Sequence, residues 1–143
     1  MTMTTLRIDN NATVTDLQRN FNKEYSYLKV EFFRHQHETK KASPKSDQID
    51  SKDLLINYLA NGNSNTIDIS EDRTVAMVEK DFWEKLGLSA QIFRKSGNLW
   101  IETSLTDDWT LSRQNYEGFQ LSADAIKHKS LDDRIEENRI DNE

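Results

Sequence analysis

Three features of the sequence predict an α+β fold. Residues 6–34 and 67–94 carry the same order of apolar positions; each copy reads as a short alternating run, a stretch at helical spacing and a second run of strand composition; and a polar insert separates the two. With 143 residues, of which 35% are hydrophobic and 31% charged, the chain fits one domain and can bury a core over only part of its length.

The first copy aligns on the second at an offset of 61: Leu6 on Ile67, Ile8 on Ile69, Val14 on Val75, Leu17 on Val78, Phe21 on Phe82 and Tyr25 on Leu86. One residue is then dropped, and Leu28 meets Leu88, Val30 meets Ala90, Phe32 meets Ile92, Phe33 meets Phe93 and Arg34 meets Arg94. Each helix is expected to start at a threonine whose hydroxyl caps a free N–H, Thr13 or Thr74, and Asp16 stands where a capping-box carboxylate belongs. The spacing from Val14 to Tyr25 and from Val75 to Leu86 draws one apolar stripe along each helix. Gly87 suits a left-handed C-terminal position. The segments LKVEFF and SAQIFR then have strand composition.

Beyond Lys95 the sequence turns into LWIET, a fifth strand. A two-residue loop of Ser96 and Gly97 would set Phe93 opposite Trp100 and Ile92 opposite Ile101. Residues 35–49 hold the single proline and no apolar periodicity, so a mobile loop is expected there. A short helix should follow, capped near Asp50 or Ser51, with Leu54, Leu55, Tyr58 and Leu59 on one face and Gly62 past its end. Asp107 or Asp108 should cap a last helix over about residues 108–117 that stops at Gly118. Residues 119–143 read as an acidic tail, partly disordered or a solvated helix, since residues 106–143 carry 5 basic against 10 acidic side chains.

The element order βαβ, insert (35–62), βαββ over 67–103 is that of a ferredoxin-like two-layer sandwich, with residues 1–118 as one domain. Two small βαβ lobes are the alternative.

The charge pattern excludes several functions. The net charge of −6 leaves no basic excess for phosphates, so no nucleic-acid partner is expected. Without cysteine there is no disulfide, thiolate zinc site or cysteine nucleophile. The start MTMTTLRIDN has no secretory character and no run of 18 apolar residues occurs, so the expectation is a cytoplasmic protein without a membrane span. The four glycines stand singly, none in a phosphate-cradling loop, and no cofactor is expected.

Candidate chemistry is sparse. His35 and His37 would share a strand face, but no third ligand stands near them and His128 lacks partner spacing. Asn61, Asn63 and Asn65 mimic the alternate spacing of a calcium loop without its carboxylates. Glu102, Asp107 and Asp108 could form a carboxylate cluster for magnesium or acid–base work, but the favoured reading of the aspartates is an N-cap with a favourable helix-dipole charge.

Strand alternation offers more. If Val30, Phe32, Ala90, Ile92 and Ile101 face the helices, Phe33, Phe93 and Trp100 face the other side, with Arg94 and Trp109 adjacent to that face in the scheme. Large aromatics there need a cover or a partner. The plain solution is that Trp109, Tyr116 and Phe119 fold over them. An RNA-stacking platform is disfavoured by the acidity and by TIDIS, which lacks its aromatic motif.

The block Phe93-Arg94-Lys95-Ser96-Gly97, Trp100 and Thr106-Asp107-Asp108-Trp109-Thr110-Leu111 resembles a group of small uncharacterised bacterial proteins that share FRKSG, W and TDDWTL. The resemblance covers about residues 67–118 and implies a bacterial, cytoplasmic setting without an activity. The reading is therefore a small non-catalytic interaction module, with a protein partner or self-association through the aromatic face. The alternative is a small metal-dependent enzyme using Glu102, Asp107 and Asp108.

Overall fold

The computed structural model describes residues 3–9, 11–34, 47–58 and 65–123. The expected mobile loop (apart from residues 47–49), the histidines at 35, 37 and 128, Asn61, Asn63 and the tail from 124 lie outside the described residues. The chain is α+β: β1 (Thr5–Ile8), α1 (Val14–Glu24), β2 (Leu28–Phe33), a 3-10 turn (Leu55–Asn57), β3 (Asn65–Asp68), α2 (Val75–Leu86), β4 (Ser89–Ser96), β5 (Leu99–Glu102), a second 3-10 turn (Ser104–Thr106) and α3 over residues 111–123. Among the described residues no helix is long and apolar enough to cross a membrane.

Both helices start as their sequences require. Thr13 caps α1 in a reciprocal box: its hydroxyl accepts the Asp16 N–H at 3.2 Å, and the Asp16 carboxylate accepts the Thr13 N–H at 3.0 Å. Those bonds, the backbone one foremost, hold the Asp16 carboxyl below the usual aspartate range. Thr74 caps α2 through the Met77 N–H, and Gly87 closes it at φ 69°. The stripes Val14, Leu17, Phe21, Tyr25 and Val75, Val78, Phe82, Leu86 are buried, and they meet β-strand side chains in one core, where Phe32 packs edge-to-face on Phe82 at 5.1 Å.

The strands form two antiparallel sheets, β1–β3 and β2–β4–β5. Each long-range ladder joins a strand of the first unit to a strand of the second. Leu6 lies opposite Ile67, and Glu31 lies opposite Gln91. These partners stand 61 and 60 residues apart, the offsets that align the two copies in the sequence. Each ladder is thus unchanged when the units are exchanged: Phe32 faces Ala90 as Val30 faces Ile92. Both sheets and both helices enter one core, so the units are not separate lobes.

The same exchange extends to segments that the sequence alignment does not reach. At the start of α1, Val14 N–H bonds the Asp53 carbonyl, Thr15 N–H bonds Ser51, and Leu55 N–H returns to Ala12. At the start of α2, Val75 bonds Trp109, Ala76 bonds Asp107, and Leu111 returns to Arg73. Residues 50–58 and 106–114 therefore do the same job, tying down a helix N-terminus whose amides would otherwise lack partners.

Four expectations are corrected. The hairpin loop is Gly97-Asn98, with Ser96 opposite Leu99, Lys95 opposite Trp100 and Phe93 opposite Glu102. A tight hairpin needs positive φ at its centre, which Gly97 supplies at 63° and Ser96 would resist. In place of the insert helix the described residues show only the 3-10 turn Leu55–Asn57, and Leu54 is exposed and bridges to Thr13. Residues 47–49 are no loop: they run beside β2, Arg34 N–H to the Asp47 carbonyl and Ile49 N–H to Phe32. Lastly, α3 is capped by the Thr110 hydroxyl, which accepts the Arg113 N–H, and it passes through Gly118. Gly118 does not end the helix because its missing side chain has another use. A Cβ there would stand 2.7 Å from the Tyr27 Cβ and 3.2 Å from the Arg94 Cγ.

Gly118→Ala should consequently fail to give the roughly 1 kcal/mol gain of an ordinary helical Gly→Ala change and instead cost about 1–3 kcal/mol through overpacking. A urea midpoint equal to or above that of the parent would show that α3 does not seat on Tyr27.

Asp16 sets a pH test. Its folded-state pKa is depressed, so its stabilising contribution is complete above the unfolded value near 4 and is lost as the pH falls through the folded value. Asp16→Asn should lower stability at pH 7 and narrow the gap to the parent steadily below about pH 4. Melting curves showing a constant gap from pH 7 to 2.5 would contradict the cap.

Candidate functional site

The outer face of the three-stranded sheet collects the odd-numbered residues of β2 and β4 and the even-numbered ones of β5. It brings Phe33, Phe93 and Trp100 together in one cavity of about 370 Å³, completed by Lys29, Glu31, Gln48 and Glu102. Phe33 is buried at its base, while Phe93 and Trp100 are half-buried. The two-residue change in hairpin register keeps both rings on this face, because strand sidedness has a period of two.

Polar groups surround these rings. The Lys29 ammonium stands 5.2 Å from the Phe93 ring centroid and 5.1 Å from that of Trp100, within cation–π range of both. Glu31 approaches the same ammonium at 3.6 Å and accepts from the amides of Gln18 at 2.9 Å and Gln48 at 2.8 Å. Glu102 is exposed at the rim.

The other proposed face residues lie elsewhere. Arg94 points to the opposite side of β4, where its guanidinium carbon stands 5.5 Å from the Trp109 ring and its Nη1 donates to the Gln114 Oε1 at 2.9 Å. Arg113 stacks closer on that indole, at 3.7 Å. The Arg94 Nε is buried without a hydrogen-bond partner. Phe119 packs edge-to-face on Tyr27 at 5.6 Å. No residue of 106–123 lines the sheet-face cavity, so the described part of the C-terminal segment is not the expected cover.

The carboxylates of the alternative reading separate as well. Glu102 belongs to the sheet face, Asp107 is buried with its carbonyl accepting the Ala76 N–H, and Asp108 is exposed. Neither aspartate is the N-cap of α3. Among the described residues no three His, Cys, Asp or Glu side chains converge as metal ligands.

Lys29, Glu31 and Gln48 were not singled out from the sequence. Alternation along LKVEFF places Lys29 and Glu31 on the Phe33 side, so that signal was present. Gln48 reaches the site only because its backbone bridges to Phe33, and nothing in its polar surroundings announces this.

No protein-family model, curated protein or solved structure matches the chain.

Lys29→Met keeps the aliphatic stem and removes the charge. It should lower stability by about 0.5–1 kcal/mol, with the difference narrowing in high salt, whereas Lys29→Arg should restore most of it. Identical urea midpoints for parent and Lys29→Met would mean that the ammonium–ring contact contributes nothing to folding.

Proposed function

We propose that the chain is a non-catalytic protein-interaction module and that its working surface is the outer face of β2, β4 and β5. The observation that carries this reading is the cavity floored by Phe33, Phe93 and Trp100, ringed by Lys29, Glu31 and Glu102 and left uncovered by the described residues of the C-terminal segment. Aromatic anchors surrounded by charges have the composition of an interaction hot spot. A protein partner suits it better than a nucleic acid, because Lys29 is engaged by Glu31 and the chain is acidic.

The ferredoxin-like layering of two repeated βαβ units belongs to the same proposal. What supports it is the repeated order of strand, helix and strand and the single core that receives both helix stripes; the strands themselves stand in two sheets, β1–β3 and β2–β4–β5. The FRKSG, W, TDDWTL resemblance supports a bacterial, cytoplasmic setting.

Site-specific photocrosslinking tests the interaction reading. A benzophenone side chain in place of Trp100 should yield one discrete protein adduct in cells expressing the chain, absent when the probe replaces exposed Thr66 and lost on adding Phe93→Ala. The same adducts at both positions, or none at Trp100, would refute a partner on this face.

A further inference from the structure

A second cavity lies between the end of α1, the turn between β3 and α2, and α3. Its volume is about 360 Å³, and Tyr27, Tyr116 and Phe119 wall it while Glu24 and Glu71 stand at its mouth. We propose that this cleft receives a lysine or arginine side chain of a partner protein.

The walls are set for such a guest. Tyr27 is fixed by its N–H bond to the Asn115 Oδ1 at 2.9 Å, and Phe119 meets it edge-on, an approach that Gly118 makes possible. Tyr116 and Phe119 stay 58% and 45% exposed, so folding does not consume their faces. The Tyr116 hydroxyl accepts from the Gln120 amide at 2.8 Å, which orients the ring before any partner arrives.

The charge pattern names the occupant. Burial foremost, then the charges of Glu71, Glu24, Asp68 and Asp72, push the phenol of Tyr25 well above its ordinary range; of these carboxylates Glu24 and Glu71 line the cleft, while Asp68 is held by Ser70 and offset by Arg73 and Lys85. Arg73 is spent on Asp81 and on the Asp68 carbonyl, and none of the ion pairs among the described residues engages Glu24 or Glu71. An aromatic wall beside uncompensated carboxylates attracts a cation carried on an aliphatic stem: the rings and carboxylates take the head, and the stem packs on Phe119. The sheet face shows the same chemistry satisfied internally, with Lys29 held over Phe93 and Trp100 beside Glu31. In the cleft the aromatic and acidic parts come from this chain, and the cation comes from the partner.

An octalysine peptide titrated into the isotope-labelled full chain, followed by amide chemical shifts, is the test. Saturable shifts should centre on residues 24–27, 71–72 and 112–119, leaving the Trp100 indole unmoved. Tyr116→Ala, a charge-neutral change at an exposed ring, should weaken binding about threefold, and Glu24→Gln with Glu71→Gln by about tenfold. Shifts confined to the acidic residues beyond 123, shifts centred on Trp100, or an affinity unaffected by Tyr116→Ala would each overturn the proposal. The Trp100 photocrosslink does not involve these residues, so the two readings fail separately.

Discussion

The antiparallel seam between β2 and β4 is the constraint from which the rest of the structure follows. Six residue pairs centred on Glu31 and Gln91 join the two units there. On the inner side the seam places Val30 against Ile92 and Phe32 against Ala90, giving α1 and α2 a common floor. On the outer side it sets Lys29 beside Phe93, and β5, paired along β4, then brings Trp100 within reach of the same ammonium. Buried Gln91 at the centre is satisfied locally: its amide reaches the Ile92 carbonyl, and its Oε1 accepts from the Ser104 hydroxyl at 3.2 Å. One ladder thus fixes both the core and the surface that the aromatic rings present.

What could be read from the sequence was what depends on neighbours in the chain. The Thr13–Asp16 box, the Thr74 cap, the left-handed Gly87 and both helix stripes are local, and each is present. Sidedness along β2 and β4 was legible for the same reason. The hairpin register was missed because composition marks Gly97 as a turn residue without saying whether it comes first or second. The ties at the helix N-termini were invisible: of residues 50–58 and 106–114, the described buried apolar positions in common are Leu55 and Leu111, and two leucines 56 residues apart make no pattern. Gly118 misled because glycine ends helices more often than it admits a neighbouring ring into one.

The two aromatic sites differ in what they leave to be supplied. At the sheet face an internal lysine, Lys29, is already engaged by both rings and by Glu31. In the cleft, carboxylates from the end of α1 and from the turn before α2 face aromatic residues of α3, and among the described residues no lysine or arginine lines it. Tyr27 takes part in that arrangement through two bonds in opposite directions: its N–H reaches Asn115 of α3, and its carbonyl accepts from Lys95 of β4. The cleft is thereby coupled mechanically to β4, the central strand of the sheet.

The cross-pairing of the two units also fixes when structure can appear during synthesis. β1 finds its ladder partner in β3, and β2 finds its own in β4, each about sixty residues further along the chain. A ribosome that has released the first unit has made a capped helix flanked by β1 and β2 without their ladder partners; residues 47–49 can join the end of β2, but the ladder edges persist until β3 and β4 emerge. Such long-range closure slows folding and leaves strand edges open to wrong pairing in the meantime. Among the described residues, the α1 tie at residues 51–55 and the bonds of residues 47–49 to β2 are therefore the anchors from the insert that can form before β3 and β4 emerge, holding the helix in place while its sheet is still being translated.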